Sequence, residues 1–336
     1  MNDSTAHAHH RRTMSKFLKL AHKFNSFYLN GLQKKECRAF IVDGIQVGLV
    51  RSTVTIELSR YPNVFIVNPN SVTLNPAFRD YDERSANIES VLKEMKEKKL
   101  FLTLKGWRDE VLTHASFIDI TISDLFSLFG ICNYGVDING YVNHPQKGLC
   151  IWLQQRSLTK QTWPGKWDNM VAGGLSVGNS VIHTAYKEGE EEASLTPDLM
   201  KNLQSAGTVS FFYESERGLF PDTEFVFDLE LPPDFVPRNQ DNEVEKFELV
   251  TASETVNRIL SPDFKTTSCP VIIDFLIRHG IINPENVTAG LKLEKPGHFV
   301  LEPRFPELVE LLHVPLQSLY KKCDNLLTEN GLSKAE

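Results

Sequence analysis

The chain has 336 residues, 41% of them hydrophobic and 24% charged, with a net charge of −7. That is enough for two domains of ordinary globular composition, and the acidic balance argues against a dedicated nucleic-acid binder. No run approaches the ~18 apolar residues of a membrane span. The five cysteines, Cys37, Cys132, Cys150, Cys269 and Cys323, are odd in number and lack a CxxC pair, so they read as reduced thiols rather than a disulfide framework or zinc site.

Within residues 1–16, His7, His9, His10, Arg11, Arg12 and Lys16 are basic or titratable, and Asp3 is the one acid. Phe17, Leu18, Leu20, Ala21 and Phe24 follow as an apolar helical stripe opposite Lys19 and Lys23. This is either a frayed tail leading into a docking helix or a transit segment. The expected location is accordingly cytoplasmic, with mitochondrial as the alternative. His7, His9 and His10 sit in the tail, where no fixed geometry would hold a metal.

Residues 36–50 predict a β-hairpin turning at Asp43-Gly44. A short strand is expected near Val64–Val67. An amphipathic helix is expected over 85–99, with Ser85 as its cap and Ile88, Val91, Leu92 and Met95 on its buried side. Trp107-Arg108-Asp109-Glu110 reads as either an ion-paired corner or a ligand contact. Together these elements make a compact α+β unit over 17–120.

Leu125 to Val142 is glycine-rich and aromatic, a connector running into a strand pair, and LCIWLQ (149–154) is a central strand. Arg156 and Lys160 follow, candidates for a terminal phosphate, although surface charge alone would account for Lys160. The next loop carries Trp163, Pro164 and Trp167. Indoles on a loop either bind a ring or plug a sheet edge.

Gly173 to Leu195 reads GGLSVGNSVIHTAYKEGEEEASL. Two glycines permit a tight turn, Ser180 is a candidate N-cap, and Pro197 stops the helix. Within that helix Glu188, Glu191 and Glu192 stand at i, i+3 and i+4 and share one face. Such carboxylates repel unless a cation sits among them, and oxygen-only ligands suit Mg²⁺ or Mn²⁺. The plainer reading is a solvated acidic face.

Three strands are expected beyond it, TVSFFY (208–213), EFVFDLEL (224–231) and EVEKFEL (243–249), separated in part by a Pro-rich loop over 232–241. VIIDFLIR (271–278) predicts a buried helix ended by Gly280. A C-terminal extension over 286–336 carries a helical stripe of Leu316, Leu319, Tyr320, Cys323, Leu326 and Leu327.

The glycine-to-glutamate stretch resembles the Nudix box, G-x5-E-x7-R-E-U-x-E-E-x-G-U with U apolar. With Gly173 and Gly174 at its start, Lys187 takes the place of the Arg, Glu188, Glu191 and Glu192 fall on the metal-holding glutamates, and Leu195 on the final apolar position. Asn179, Gly189 and Ser194 depart from the pattern. His183 stands where the nearest subfamily commonly has Glu, which would close a capping box with Ser180.

GYV (140–142), WPGKWDNMVAGGL (163–175), FDLELP (227–232), EVEKF (243–247) and DFLIRHG (274–280) resemble one Nudix subfamily. It carries an extra N-terminal domain, resembled here by CRAFIVDGIQVGLV and GWRDEVL. It also includes the Nudix half of fungal thiamine pyrophosphokinases. The similarity covers roughly residues 20 to 285.

The resemblance implies an α/β fold, a Nudix α/β/α sandwich with a mixed sheet over 121–285, beside the smaller α+β N-terminal domain. It implies hydrolysis of a small-molecule diphosphate with Mg²⁺ or Mn²⁺. Charge and hydropathy add the expectation of no nucleic-acid or membrane partner, and the N-terminal domain is left open either to shape the pocket or to form a homodimer. Glu188, Glu191, Glu192 and Glu243 are the expected catalytic residues. Arg156, Trp163, Trp167 and Phe211 are the expected substrate contacts, with Phe212 and Tyr213 as further ring walls. The implied substrates are thiamine diphosphate analogues, notably oxidised or damaged forms such as oxythiamine and oxothiamine diphosphate. A broader nucleoside or dinucleotide diphosphatase and a catalytically silent Nudix sensor are the alternatives.

Overall fold

The computed structural model describes residues 16–29, 36–106, 123–176, 178–283, 308–309 and 311–313. The histidine-bearing tail, the Trp107–Glu110 cluster and the C-terminal stripe from Leu316 lie outside the described residues.

Two helices, α1 (Lys16–Phe24) and α2 (Ser26–Leu29), precede the first sheet. That sheet runs β2-β1-β4-β3, from β1 (Cys37–Val42), β2 (Ile45–Arg51), β3 (Phe65–Val67) and β4 (Ser71–Leu74). The hairpin between β1 and β2 turns at Asp43 and Gly44, both at positive φ (49° and 76°), which is the backbone that an Asp-Gly pair tolerates. Between β2 and β3 lies α3 (Ser52–Leu58). The sheet is covered by α4 (Tyr81–Glu97), whose Ile88, Val91, Leu92 and Met95 are buried. This helix starts four residues before the expected Ser85, because the Asp80 carboxylate accepts the Glu83 N–H and caps it.

The second half opens with α5 (Ser123–Phe129), where the sequence reading saw only a connector. Its sheet takes the order β11-β6-β5-β10-β9, from β5 (Asn133–His144), β6 (Gly148–Arg156), β9 (Gln204–Ser215), β10 (Gly218–Glu230) and β11 (Val244–Thr251). Two short strands, β7 (Trp167–Asn169) and β8 (Val171–Gly174), pair with β6 and β5. The sheet is mixed, since β10 runs parallel to β5 and antiparallel to β9. Helices α6 (Val181–Ala193) and α7 (Pro197–Met200) lead from β8 to β9, and α8 (Ala252–Ile259) and α9 (Cys269–Arg278) follow β11.

The alternation of β10 sets the layers. Phe225, Phe227, Leu229 and Leu231 join Val181, Ala185 and Ala193 of α6 in one apolar cluster. Val226 faces the other way, into a cluster with Phe211, Ile272 and Phe275. Burying one such aromatic contributes ~2–3 kcal/mol, so strand register and helix position are fixed together. The result is an α/β/α sandwich with α6 on one face and α8 and α9 on the other.

Helix α1 packs away from the sheet that follows it in the chain. Leu20, Ala21 and Phe24 of α1 are buried against the second sheet, not the first. The Asn25 side chain fixes this arrangement, accepting the Phe212 N–H (3.0 Å) and donating to the Leu311 carbonyl (2.7 Å). Leu49 of β2 also lies in the cluster that contains α6.

Candidate active site

The Ser180 hydroxyl caps α6 by accepting the His183 N–H at 3.2 Å. The other end of the helix closes on Ser194, in the left-handed region at φ 54°. Glycine fits that conformation better, but the Ser194 hydroxyl donates to the Arg238 carbonyl (2.7 Å) and accepts from Gln240 Nε2 (3.0 Å). The Gln240 and Arg238 N–H groups reach the carbonyls of Glu191 and Ala193 (3.0 and 3.3 Å). The loop from 232 to 243 thus satisfies the helix C-terminus and, in doing so, carries Asp241 and Glu243 to the same cleft as the helix glutamates. Gly189 faces inward: a Cβ there would stand 3.1 Å from Leu195, so the box position that is usually apolar is here the smallest residue.

The cleft has a volume of about 1020 Å³. Glu188, Glu191, Glu192, Gly173, Gly174 and Lys187 all border it. Two carboxylates one turn apart repel unless a cation lies between them. Here Lys187 Nζ lies 3.1 Å from Glu188 Oε1 and 2.9 Å from Glu191 Oε2. The hydrogen bond to Glu191 is the largest influence raising the ammonium to about 12. Burial raises the Glu188 carboxyl above its ordinary value.

Glu192 borders the same cleft but is nearly enclosed. It is 3% exposed, and its carboxylate accepts the Ala172 N–H at 2.9 Å and Gln154 Nε2 at 3.3 Å. Burial pushes its carboxyl up to about 8. Among the described residues no three acidic, histidine or cysteine side chains converge closely enough, as they stand, to hold one metal ion. The donor chemistry nonetheless suits a hard divalent cation: oxygen only, with an ammonium already seated between two of the carboxylates.

Glu243 also borders the cleft, ion-paired with Lys160, and its N–H donates to Asp241 Oδ1 at 2.9 Å. Lys160 is therefore an internal partner rather than simple surface charge. Arg156 borders the cleft but is committed inward. It donates to Asp168 Oδ2 (3.0 Å) and to the Thr162 carbonyl (3.3 and 3.1 Å). Asp168 is fully buried and takes Lys265 Nζ as well, at 3.0 Å. These two cations hold its carboxyl below its ordinary value against the opposing effect of burial.

Of the expected ring contacts, Trp163 borders the cleft at φ 53°. Positive φ is rare for so bulky a side chain and directs this one toward Tyr213, with ring centroids 6.2 Å apart. Tyr213 continues to Phe220 at 6.0 Å, completing a wall of three rings. Two expectations are corrected. Trp167 is absent from the cleft, its indole covered by Arg258 (4.2 Å) and Lys246 (5.1 Å) at the sheet edge. Phe211 is fully buried against Phe24, because its strand position points to the α9 layer, and Phe212 stacks on Phe27 in the opposite cluster.

Asp222, which borders the cleft, belongs to an acid layer that sequence patterning did not single out. Burial pushes Asp222 up to about 7 and Asp137 up to about 6, and raises Glu224, hydrogen-bonded to Asp137, well above its ordinary value. Acids interrupting β10 beside Gly135 were the available signal: a Cβ on Gly135 would stand 2.1 Å from Glu224 Oε2.

A family model described as a NUDIX domain matches residues 134–268. Nudix hydrolase 24, chloroplastic, of Arabidopsis thaliana is 35% identical over 268 residues, 76% of this chain and 72% of that protein. The chain belongs to the Nudix hydrolase family. Nudix hydrolase 20, chloroplastic, from the same plant is 34% identical over 264 residues, covering 74% and 69%. An uncharacterized protein of Saccharomyces cerevisiae is 31% identical over 292 residues, 81% of each chain. Residues 16–121 match a domain of unknown function, DUF4743. As a Nudix hydrolase the chain acts on pyrophosphate-containing substrates, and the family generally uses divalent ions, typically Mg²⁺ or Mn²⁺. Among the described residues no helix is long and apolar enough to cross a membrane.

Proposed function

We propose that this Nudix hydrolase cleaves the diphosphate of thiamine diphosphate analogues, in particular oxidised or damaged forms, to a monophosphate and phosphate, as a step of metabolite repair. The observation that carries the reading is the meeting of an acidic helix face and a wall of three rings on one cleft. The resemblance to the Nudix half of fungal thiamine pyrophosphokinases supports the choice of ring.

Glu188 and Glu191, with Glu192 behind them, are the residues that would hold Mg²⁺ or Mn²⁺. Such an ion supplies neutralisation of charge on the phosphoryl oxygens. Glu243, ion-paired with Lys160, would orient or deprotonate the attacking water. Trp163 and Tyr213 take the ring by stacking. A nucleobase would stack there equally well, which keeps a broader nucleoside or dinucleotide diphosphatase as the second reading.

The deciding experiment is a substrate panel with Mg²⁺ and Mn²⁺, comparing oxythiamine diphosphate with ADP-ribose and NADH. Preference for ADP-ribose by an order of magnitude overturns the thiamine reading. Glu192→Gln is expected to lower the rate by at least ~10²-fold. If that variant matches the parent and neither releases phosphate, the cleft is a sensor rather than an enzyme.

A further inference from the structure

The turn from β9 to β10 brings Arg217 to the cleft. Among the described residues five cations border that cleft, and four are neutralised: Arg156 and Lys265 by Asp168, Lys160 by Glu243, Lys187 by Glu188 and Glu191. Arg217 differs. Its guanidinium has no side-chain or carbonyl partner among the described residues, and its Nε is buried without a hydrogen bond. A buried donor left unmade is costly, and a guanidinium without a partner on a residue that borders a cleft has donors to spare for an acceptor there.

The turn is held from the N-terminal domain. Arg51, the last residue of β2, donates to the carbonyls of Ser215 (2.7 Å) and Gly218 (2.8 Å) and pairs with Glu214 at 2.9 Å. Its Nη2 makes all three contacts and so grips the chain on both sides of Arg217. Gly218 at φ 153° abuts α5, where a Cβ would stand 2.3 Å from the Ser127 carbonyl, so the turn has no room to shift that way. Leu102, also from the N-terminal half, borders the cleft with 44% of its surface exposed. Tyr213 and Phe220, the aromatic residues nearest the turn in β9 and β10, belong to the ring wall.

A guanidinium donates and never accepts. Beside an aromatic wall it therefore selects a ring that presents an acceptor. We propose that Arg217 reads the organic half of the substrate by donating to an oxo or carbonyl group on the ring, and that Arg51 is the positioning residue through which the N-terminal domain holds it there. This rests on the reading of the cleft as a diphosphatase site. It gives the domain of unknown function a role in specificity. A ring bearing an amino group at the same point offers donors to a donor and is disfavoured.

The test uses the full chain with Mg²⁺ and three diphosphates: oxythiamine diphosphate, thiamine diphosphate and a simple alkyl diphosphate without a ring. Arg217→Met keeps the stem and is expected to raise KM for the oxo substrate ~10-fold or more with little change in kcat. It should also erase the preference over the amino ring and leave the alkyl diphosphate unaffected. Arg51→Lys keeps a charge but its shorter side chain does not carry a donor to the Nη2 position between the two carbonyls, and should act in the same direction. The double variant should be no worse than Arg217→Met alone. Thermal melting run alongside separates misfolding, and Arg217→Met carries the test if Arg51→Lys unfolds. An equal loss on the alkyl diphosphate would mean that Arg217 serves phosphate, and overturns the proposal, as does an unchanged KM and preference. Should the parent prefer ADP-ribose, the thiamine reading falls, and the same comparison of ringed with ringless diphosphates still decides Arg217.

Discussion

Glu188 lies across Gly173: a Cβ on residue 173 would stand 2.2 Å from Glu188 Cγ and 2.3 Å from Cδ. The glycine that opens the box is thus the floor on which a box glutamate rests. Gly173→Ala should push that carboxylate aside without emptying any part of the core. The expected result is a fall in kcat/KM of ~10²-fold with a weaker response to Mg²⁺, at nearly unchanged melting temperature. Full activity in Gly173→Ala would show that Glu188 has no fixed place in the reaction.

On the proposed reading, Lys187 and a divalent ion would compete for the same two carboxylates. Lys187→Met leaves Glu188 and Glu191 facing each other, so the metal-free variant should melt lower than the parent. Added Mg²⁺ should then raise its melting temperature by more than it raises that of the parent, because a bound cation stabilises by mass action. Calorimetry in a Mg²⁺ series measures this without any turnover. No stabilisation in either protein removes the two glutamates from the list of ligands.

Asp168, wholly buried, neutralises Arg156 and Lys265 together. Asp168→Asn strands two cations and should cost ~3–5 kcal/mol in urea unfolding. Arg156→Met should likewise lower stability far more than it raises KM. If instead KM rises tenfold in a protein of parental stability, Arg156 is a substrate contact after all.

The acid layer predicts a pH dependence of the metal-free protein. Burial raises Asp222 from the ordinary aspartate value to about 7, so the native state keeps a proton that the unfolded chain has released. Stability from this group is complete below about pH 4, is lost as pH climbs toward about 7, and changes no further above that. Asp222→Asn should flatten that fall, by a few degrees in melting temperature across the window. An identical slope in parent and variant would place the titration elsewhere.

The parts of the fold visible in the sequence are those written in periodic patterns. Phe225, Phe227, Leu229 and Leu231 alternate and do share one face, and the Asp43-Gly44 turn forms the hairpin. The spacing of Glu188, Glu191 and Glu192 brings all three to one cleft. Phe211 and Trp167 were misplaced because composition says that a ring is present but not which side of a strand it occupies. One residue of register separates Phe211, in the α9 layer, from Phe212, in the α6 layer. Lys187 as a bridge and Glu192 as an inward hydrogen-bond acceptor depend on which charge is nearest in space, and spacing along a helix does not settle that. Arg217 and Phe220 left no periodic mark, since their place comes from a turn gripped by a distant arginine.

Leu49 of the first sheet shares an apolar cluster with α6, and α1, at the start of the same family match, is sunk into the second sheet. A deletion that begins at the conventional start of the catalytic half would therefore strip away part of its own interior. The two family matches should melt in a single calorimetric transition, and an inert catalytic fragment would report a broken scaffold rather than a missing regulator.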